Sequence, residues 1–177
     1  MLNKKIEAAL GDQINYELFS AYLYFGMAAA MEDLSYRGIA HWMRTQANEE
    51  LFHAAKLFDY VYSRDGRVKL PAVGQVASEY KTPLEVFEIA YKHEQSVTAR
   101  FNKWYELCLA EKDHVTGSFI QWFINEQIEE EDNIKTIVDR LKRIVDNPDA
   151  LYKLDNELAT RMLAAYVNLI NTSAPGA

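Results

Sequence analysis

The sequence predicts an all-α protein, in which four long helices pack as a bundle, a long crossover joins the second to the third, and a short fifth helix follows. Three observations carry this. Apolar residues recur at steps of three and four through four stretches of about 30 residues each. Only seven glycines and four prolines occur in 177 residues that are 49% hydrophobic, which favours helix over a turn-rich β fold. One connection, 66–81, has no sustained period and is too long for a simple turn between neighbours.

The first helix is read over about 3–33, with a stripe of Ile6, Leu10, Gln13, Glu17, Ala21, Tyr24, Ala28 and Met31. Leu34 and Ser35 break it, and Ser35 is read as the N-cap of the next helix. That helix spans about 36–64 on the seam Ile39, Met43, Gln46, Glu50, His53, Leu57, Tyr60, and Asp65-Gly66 ends it. The connection then travels: helices of about 30 residues are roughly 45 Å long, and an extended chain covers about 3.3 Å per residue. The second and third helices are therefore read as parallel. Thr82-Pro83-Leu84-Glu85 is a capping box with proline at the first helical position. It opens a helix to about 110 with the seam Phe87, Tyr91, Glu94, Val97, Phe101, Tyr105, Cys108. The fourth follows Asp113 and runs to about 145 on Phe119, Phe123, Gln127, Glu130, Ile134, Ile137, Leu141. Asn147-Pro148 starts a fifth helix, read over 148–168. Its apolar face, Leu151, Leu154, Leu158, Met162 and Ala165, is expected to meet another subunit, because four helices already close the bundle. The tail, 171–177, is small and polar and is expected to be flexible. The whole of 1–177 is read as one domain.

Composition narrows the function. A net charge of −7 argues against nucleic acid and suits a surface that draws cations. Cys108 is the only cysteine, which excludes an internal disulfide, a four-cysteine zinc site and a rubredoxin-type iron centre. No run approaches the about 18 apolar residues that span a membrane. Glu7, Asp12 and Glu17 interrupt any apolar leader after Lys4 and Lys5, so no signal peptide is expected and the cytoplasm is the default location.

The chemistry lies in the polar residues of these seams. Glu50 and His53 are one turn apart on one face. Oxygen and imidazole donors together suit a first-row metal such as iron. Glu17, Glu50, His53, Glu94, Gln127 and Glu130 all fall near the middle of their helices, at one level of the core whichever way each helix points. Carboxylates gathered there repel strongly at low dielectric. The seams beside them offer no matching Lys or Arg, and two divalent cations would neutralise them. Carboxylate di-metal bundles use one Glu from each of two helices and a Glu-x-x-His from each of the others. Here the second pair is Gln127-x-x-Glu130. That leaves one metal without a nitrogen ligand and weakly held, which suits a metal that must leave after oxidation. His41, His93 and His114 fall off the polar seam and are read as surface or structural.

Glu17, Tyr24, Glu50, His53, Glu94, Gln127 and Glu130 together resemble the ferroxidase pattern of prokaryotic (bacterial and archaeal) non-haem ferritins, and the resemblance runs over nearly the whole chain. It implies a ferritin-like fold and an iron-storing ferroxidase that oxidises Fe(II) with O2 or peroxide inside a shell of 24 subunits. It implies one iron on Glu17, Glu50 and His53, and a second on Glu50 as bridge, Glu94 and Glu130, with Gln127 a neighbouring hydrogen-bonding group. Tyr24 and Trp122 would lie close by as electron donors; alternatively, Tyr24 is core with its hydroxyl on Glu94, and Trp122 is packing. Glu49, Glu126 and Glu129, with Glu130, resemble the family's third iron site, or else form a solvated acidic face. A rubrerythrin-like peroxidase normally adds a four-cysteine module. A bacterioferritin carries two Glu-x-x-His pairs and a haem-ligating Met where this chain has Leu51, so no haem is expected.

Overall fold

The computed structural model describes residues 2–77 and 79–162. Five helices follow in order: α1 (Lys4–Asp33), α2 (Arg37–Ser63), α3 (Pro83–Ala110), α4 (His114–Ile144) and α5 (Pro148–Leu158), and no strand occurs among the described residues. No helix among them is long and apolar enough to cross a membrane.

Side-chain caps open four of the five. Asn3 accepts from Lys5 N, Thr82 from Glu85 N, Asp113 from Thr116 N and Asn147 from Ala150 N. Each satisfies an amide that the helix itself leaves without a partner. The Glu85 carboxylate reaches back to Lys81 N at 2.7 Å, one residue before the expected partner of a capping box. α2 has no such cap on Tyr36; Asp155 of α5 supplies one from across the molecule, its Oδ1 accepting from Ile39 N at 2.8 Å.

The tight helix ends use three left-handed residues, Ser35, Asp65 and Lys112. Ser35 is thus not the N-cap the sequence suggested. At φ 66° it closes the C-terminus of α1, with Tyr36 N donating to Met31 O at 2.8 Å. At the end of α2 the left-handed position is Asp65, and Gly66 serves a different need. A Cβ on Gly66 would lie 2.9 Å from Val61 O, the carbonyl that its own N–H bonds.

Cross-helix bonds give the directions. Along α1 and α3 the partners run Asp12 with Arg100, Tyr16 with Ser96 and Ser20 with His93, so these helices are antiparallel. α1 is antiparallel to α2 through Leu2 with Arg64 at one end and Glu32 with Arg44 at the other. α2 and α3 are therefore parallel, and the chain between them must cross the bundle's length. It does so along α1: Leu70 and Pro71 lie by Gly11, and a Cβ on Gly26 would meet Ala77 O at 3.0 Å.

α5 lies against α2 and α4 of its own chain, with Leu154 and Leu158 in the same hydrophobic cluster as Ile39, Met43 and Leu141. This corrects the expectation that its apolar face meets another subunit: the ends of α2 and α4 leave a place for one short helix. The helix ends at Leu158 rather than near 168, and Met162 is exposed. Ala165 and the tail lie outside the described residues.

The core has two apolar halves. One gathers Tyr24 to Met31, Ile39 to Ala47, Val86 to Ala90 and Ile134 to Leu141; the other gathers Ile6 to Ile14, Ala54 to Val61, Val97 to Cys108 and Ile120 to Phe123. Between them lies a layer of buried polar residues: Gln13, Glu17, Ser20, Gln46, Glu49, Glu50, His53, His93, Glu94, Gln127 and Glu130.

Candidate metal centre

Each helix of the bundle delivers two to four side chains to this layer. Helical spacing puts Glu50 and His53 on one face, and the antiparallel packing of α1 brings Glu17 to them. One ligand atom from each of Glu17, Glu50 and His53 falls within 4.8 Å of the others, and all three residues are buried. Glu50 Oε2 lies 3.7 Å from His53 Nδ1. Glu17 Oε1 accepts from Gln13 Nε2 at 2.7 Å, while Glu17 Oε2 is buried with no hydrogen-bond partner. An orphaned buried carboxylate oxygen is costly. With the Glu50 carboxylate and the His53 imidazole close by, the Glu17 carboxylate has the surroundings a divalent cation would complete.

Glu94 and Glu130 come from the other two helices. Glu94 accepts from the Tyr24 hydroxyl at 2.5 Å and from Gln127 Nε2 at 3.1 Å. The Gln127 amide also reaches Glu94 O at 3.3 Å and Thr98 Oγ1 at 3.4 Å, so it braces α3 against α4. Glu130 joins Glu50 through Gln46, whose Nε2 donates to Glu130 Oε2 at 3.0 Å and to Glu50 Oε1 at 2.9 Å.

The electrostatics of the metal-free layer follow. Burial pushes Glu17 well above the usual carboxylate range, and the neighbouring Glu50 charge adds to it. Burial and the charges of Glu50 and Glu130 do the same to Glu94. Burial, with Glu50 and Glu49 nearby, raises Glu130 to about 7. Burial also works against ionised Glu50, but the hydrogen bond and charge of His53 outweigh it, and Glu50 lies below its ordinary value. His53 is raised to about 10: burial disfavours the cation, and the Glu50 bond, with the charges of Glu50, Glu17 and Glu130, overrides it. Without metal, protons and one imidazolium hold the carboxylates together. A cation entering the site would displace them.

The remaining sequence candidates are placed differently. Tyr24 is fully buried and its hydroxyl donates to Glu94, a contact that fits both roles read for it, core residue and electron donor. Trp122 is half-buried, edge-on to His53 at 5.8 Å between ring centres, with Lys56 Nζ 3.9 Å above its ring. Glu49 is buried and paired with Arg161 at 2.5 Å. Glu126 is half-buried, and Glu129 is exposed beside Tyr91, Asp132 and Lys135. His93 is buried and structural, bonded to Ser20 at 2.7 Å and stacked on Tyr16; His41 is half-buried and His114 exposed.

Sequence reasoning missed three participants. Gln13 and Gln46 were visible as polar residues in their seams, four positions before Glu17 and Glu50, and that spacing could have marked them. Arg161 had no signal: it follows the end of α5 and touches the layer only because that helix docks on α2.

A four-helix bundle with glutamates and a histidine gathered at one buried level has the side-chain set of carboxylate metal-binding bundles. Comparison with known proteins narrows the class. Residues 7–144 match the family described as Ferritin-like domain. The chain belongs to the ferritin family. It is 41% identical over 161 residues to the bacterial non-heme ferritin of Staphylococcus haemolyticus, covering 91% of this chain and 97% of that one. The Staphylococcus aureus (strain MRSA252) protein of the same name is 40% identical over the same shares. Among solved structures, an open pore ferritin from Archaeoglobus fulgidus is 44% identical with a TM-score of 0.90, covering 92% of this chain and all of that one. A closed form of that ferritin, made by mutagenesis, has a TM-score of 0.91 at 44% identity, covering 93% of this chain and all of the other.

Proposed function

We propose that this protein is an iron-storing ferroxidase. The observation that carries the reading is the buried cluster of Glu17, Glu50 and His53, with one Glu17 oxygen lacking any hydrogen-bond partner. Fe(II) is the substrate. Glu17, Glu50 and His53 hold one iron; Glu50 bridges to a second, which Glu94 and Glu130 hold. Gln127 orients Glu94 rather than ligating firmly, and Tyr24 fixes the other Glu94 oxygen. Two Fe(II) ions give two electrons to one O2, which takes up two protons and leaves as H2O2; with H2O2 as oxidant, two protons and two electrons give two waters. The protons for these reductions come from solvent. The weakly held second iron lets Fe(III) move on to a ferric oxyhydroxide core.

Glu49, Glu126 and Glu129, with Glu130, form a looser third site in this reading, where a cation competes with Arg161 for Glu49. The subunits close into a hollow shell of 24 in the cytoplasm. Exposed apolar side chains on α1 and α2, among them Tyr22, Phe25, Phe58 and Tyr62, are available for subunit contacts.

The test combines particle mass with rapid kinetics. Metal-free protein should bind two Fe(II) per subunit without oxygen and oxidise both in one fast phase when O2 is added, in a particle of 24 chains. A small particle that leaves Fe(II) to oxidise at the rate of free solution overturns the reading.

A further inference from the structure

The two helices that supply Glu17, Glu50 and His53 carry the same accessory arrangement. On α1, Gln13 lies four residues before Glu17 and donates Nε2 to Glu17 Oε1 at 2.7 Å. On α2, Gln46 lies four residues before Glu50 and donates Nε2 to Glu50 Oε1 at 2.9 Å. In both, the glutamine carbonyl is held by an arginine from another element. Arg100 Nε donates to Gln13 Oε1 at 2.9 Å, with Trp104 Nε1 on the same oxygen at 3.0 Å. Arg161 Nη2 donates to Gln46 Oε1 at 2.7 Å.

The arginines are themselves held in matching ways. Arg100 lies 4.0 Å over the Tyr16 ring and pairs with Asp12; Arg161 lies 4.1 Å over the Trp42 ring and pairs with Glu49. A guanidinium donates only, so the glutamine atom that meets it must be the oxygen. The amide nitrogen is then forced toward the carboxylate. An amide turned the other way would set its carbonyl against buried carboxylates, with repulsion where there is now a bond.

We infer that Gln13 and Gln46 are positioning residues for the metal site, each locked in its donating orientation by an arginine outside the site. Each glutamine donates to Oε1 of its glutamate and so fixes the direction of Oε2. At Glu17 that is the oxygen with no partner, and at Glu50 it is the one facing His53. Gln46 also fixes Glu130, so Arg161 sets the orientation of two carboxylates that it does not touch. Through Arg161, the segment after α5 acts on the metal site. The inference rests on the metal-site reading above.

Redox-inert Zn(II) separates this from turnover. Calorimetry on assembled, metal-stripped protein compares wild type, Glu50→Ala, Gln46→Met, Arg161→Ala and the Gln46→Met/Arg161→Ala double variant. Met keeps the length of Gln and removes its hydrogen bonds. Orienting partners of metal ligands are typically worth about 10–100-fold in affinity, so Gln46→Met and Arg161→Ala should each weaken Glu50-dependent Zn(II) binding by at least about tenfold. Because Arg161 acts through Gln46, the double variant should bind no more weakly than Gln46→Met alone. Unchanged affinity in either single variant, or losses that multiply in the double, overturns the inference; multiplied losses would trace the Arg161 effect to Glu49 or to the fold. Should Arg161→Ala misassemble, Gln13→Met with Arg100→Ala/Trp104→Phe, which removes both donors to Gln13 Oε1, repeats the cycle at the other clamp for Glu17-dependent binding, with the same outcomes. Wild type that binds no Zn(II) dependent on Glu50 overturns the metal-site reading together with this one.

Discussion

Glu50 joins three partners of the polar layer: it meets His53, accepts from Gln46 and lies within ligand distance of Glu17. If it bridges two irons, neither binds properly without it. Glu50→Ala should therefore abolish the fast oxidation of two Fe(II) per subunit. It should leave the particle assembled, because Glu50 is buried within the bundle of its own chain. Stopped-flow absorbance decides this, and a fast phase near wild type would remove Glu50 from the site. Tyr24 makes a different prediction. Its hydroxyl donates to Glu94 Oε1 at 2.5 Å, in a wholly buried position. Tyr24→Phe should cost about 1–3 kcal/mol in the metal-free protein. Metal loading should recover part of that loss, since a cation would take over the freed oxygen. Thermal denaturation with and without Zn(II) measures both.

At the scale of elements, α5 does more than cover the bundle end. α2 has no cap of its own, and Asp155 of α5 takes the role by accepting from Ile39 N. Gly38 makes the approach possible: a Cβ there would fall 1.7 Å from Asp155 O. Asp155→Ala should lower stability by about 1 kcal/mol, the usual cost of a lost N-cap. Gly38→Ala should cost more, because the clash is with backbone and α5 must move as a body. Arg161 would move with it, so Gly38→Ala should also weaken Zn(II) binding, whereas Asp155→Ala should leave it nearly unchanged. Calorimetry and melting curves on the two variants test whether α5 docking and metal affinity are linked.

For the whole molecule, the polar layer divides the core, and the charge state of that layer should set how stability varies with pH. Glu130 is raised to about 7 and His53 to about 10, while Glu17 and Glu94 are raised well above the carboxylate range. Each binds its proton more tightly folded than unfolded. Stability therefore falls as pH rises between the unfolded and folded values, about 4.5 to 7 for Glu130 and about 6.5 to 10 for His53. Glu50 has the opposite sign, but its window lies below the ordinary carboxylate value. Metal-free protein should melt at a lower temperature at about pH 9 than at about pH 5. Metal should reverse the trend and release protons on binding, which calorimetry in buffers of different ionisation enthalpy detects. A melting temperature that rises across that range would show that other groups dominate. A third site would act at this scale too. Replacing Glu49, Glu126 and Glu129 with Gln should keep the first fast oxidation but change the iron-to-O2 ratio and slow repeated additions. If O2 uptake and repeat rates are unchanged, these residues are an acidic face.

Periodicity and spacing alone determined much of this protein. Steps of three and four placed four helices within a few residues of their observed ends, because a half-buried helix must keep one apolar stripe. A carboxylate in such a stripe is too costly to be incidental, so Glu17, Glu50, His53, Glu94, Gln127 and Glu130 were legible as one polar level. The length of 66–81 determined the parallel second and third helices, since a shorter chain could not travel the bundle. What only the tertiary structure decided depends on contacts between residues distant in sequence. Ser35 takes a left-handed turn instead of capping α2, because Asp155, more than a hundred positions away, supplies a cap. The apolar face of α5 is satisfied within its own chain, because the ends of α2 and α4 leave a place for it. Arg161 reaches Gln46 and Glu49 because α5 docks where it does. Helical periodicity is a property of neighbours along the chain and carries no information about which distant donor will meet a buried acceptor.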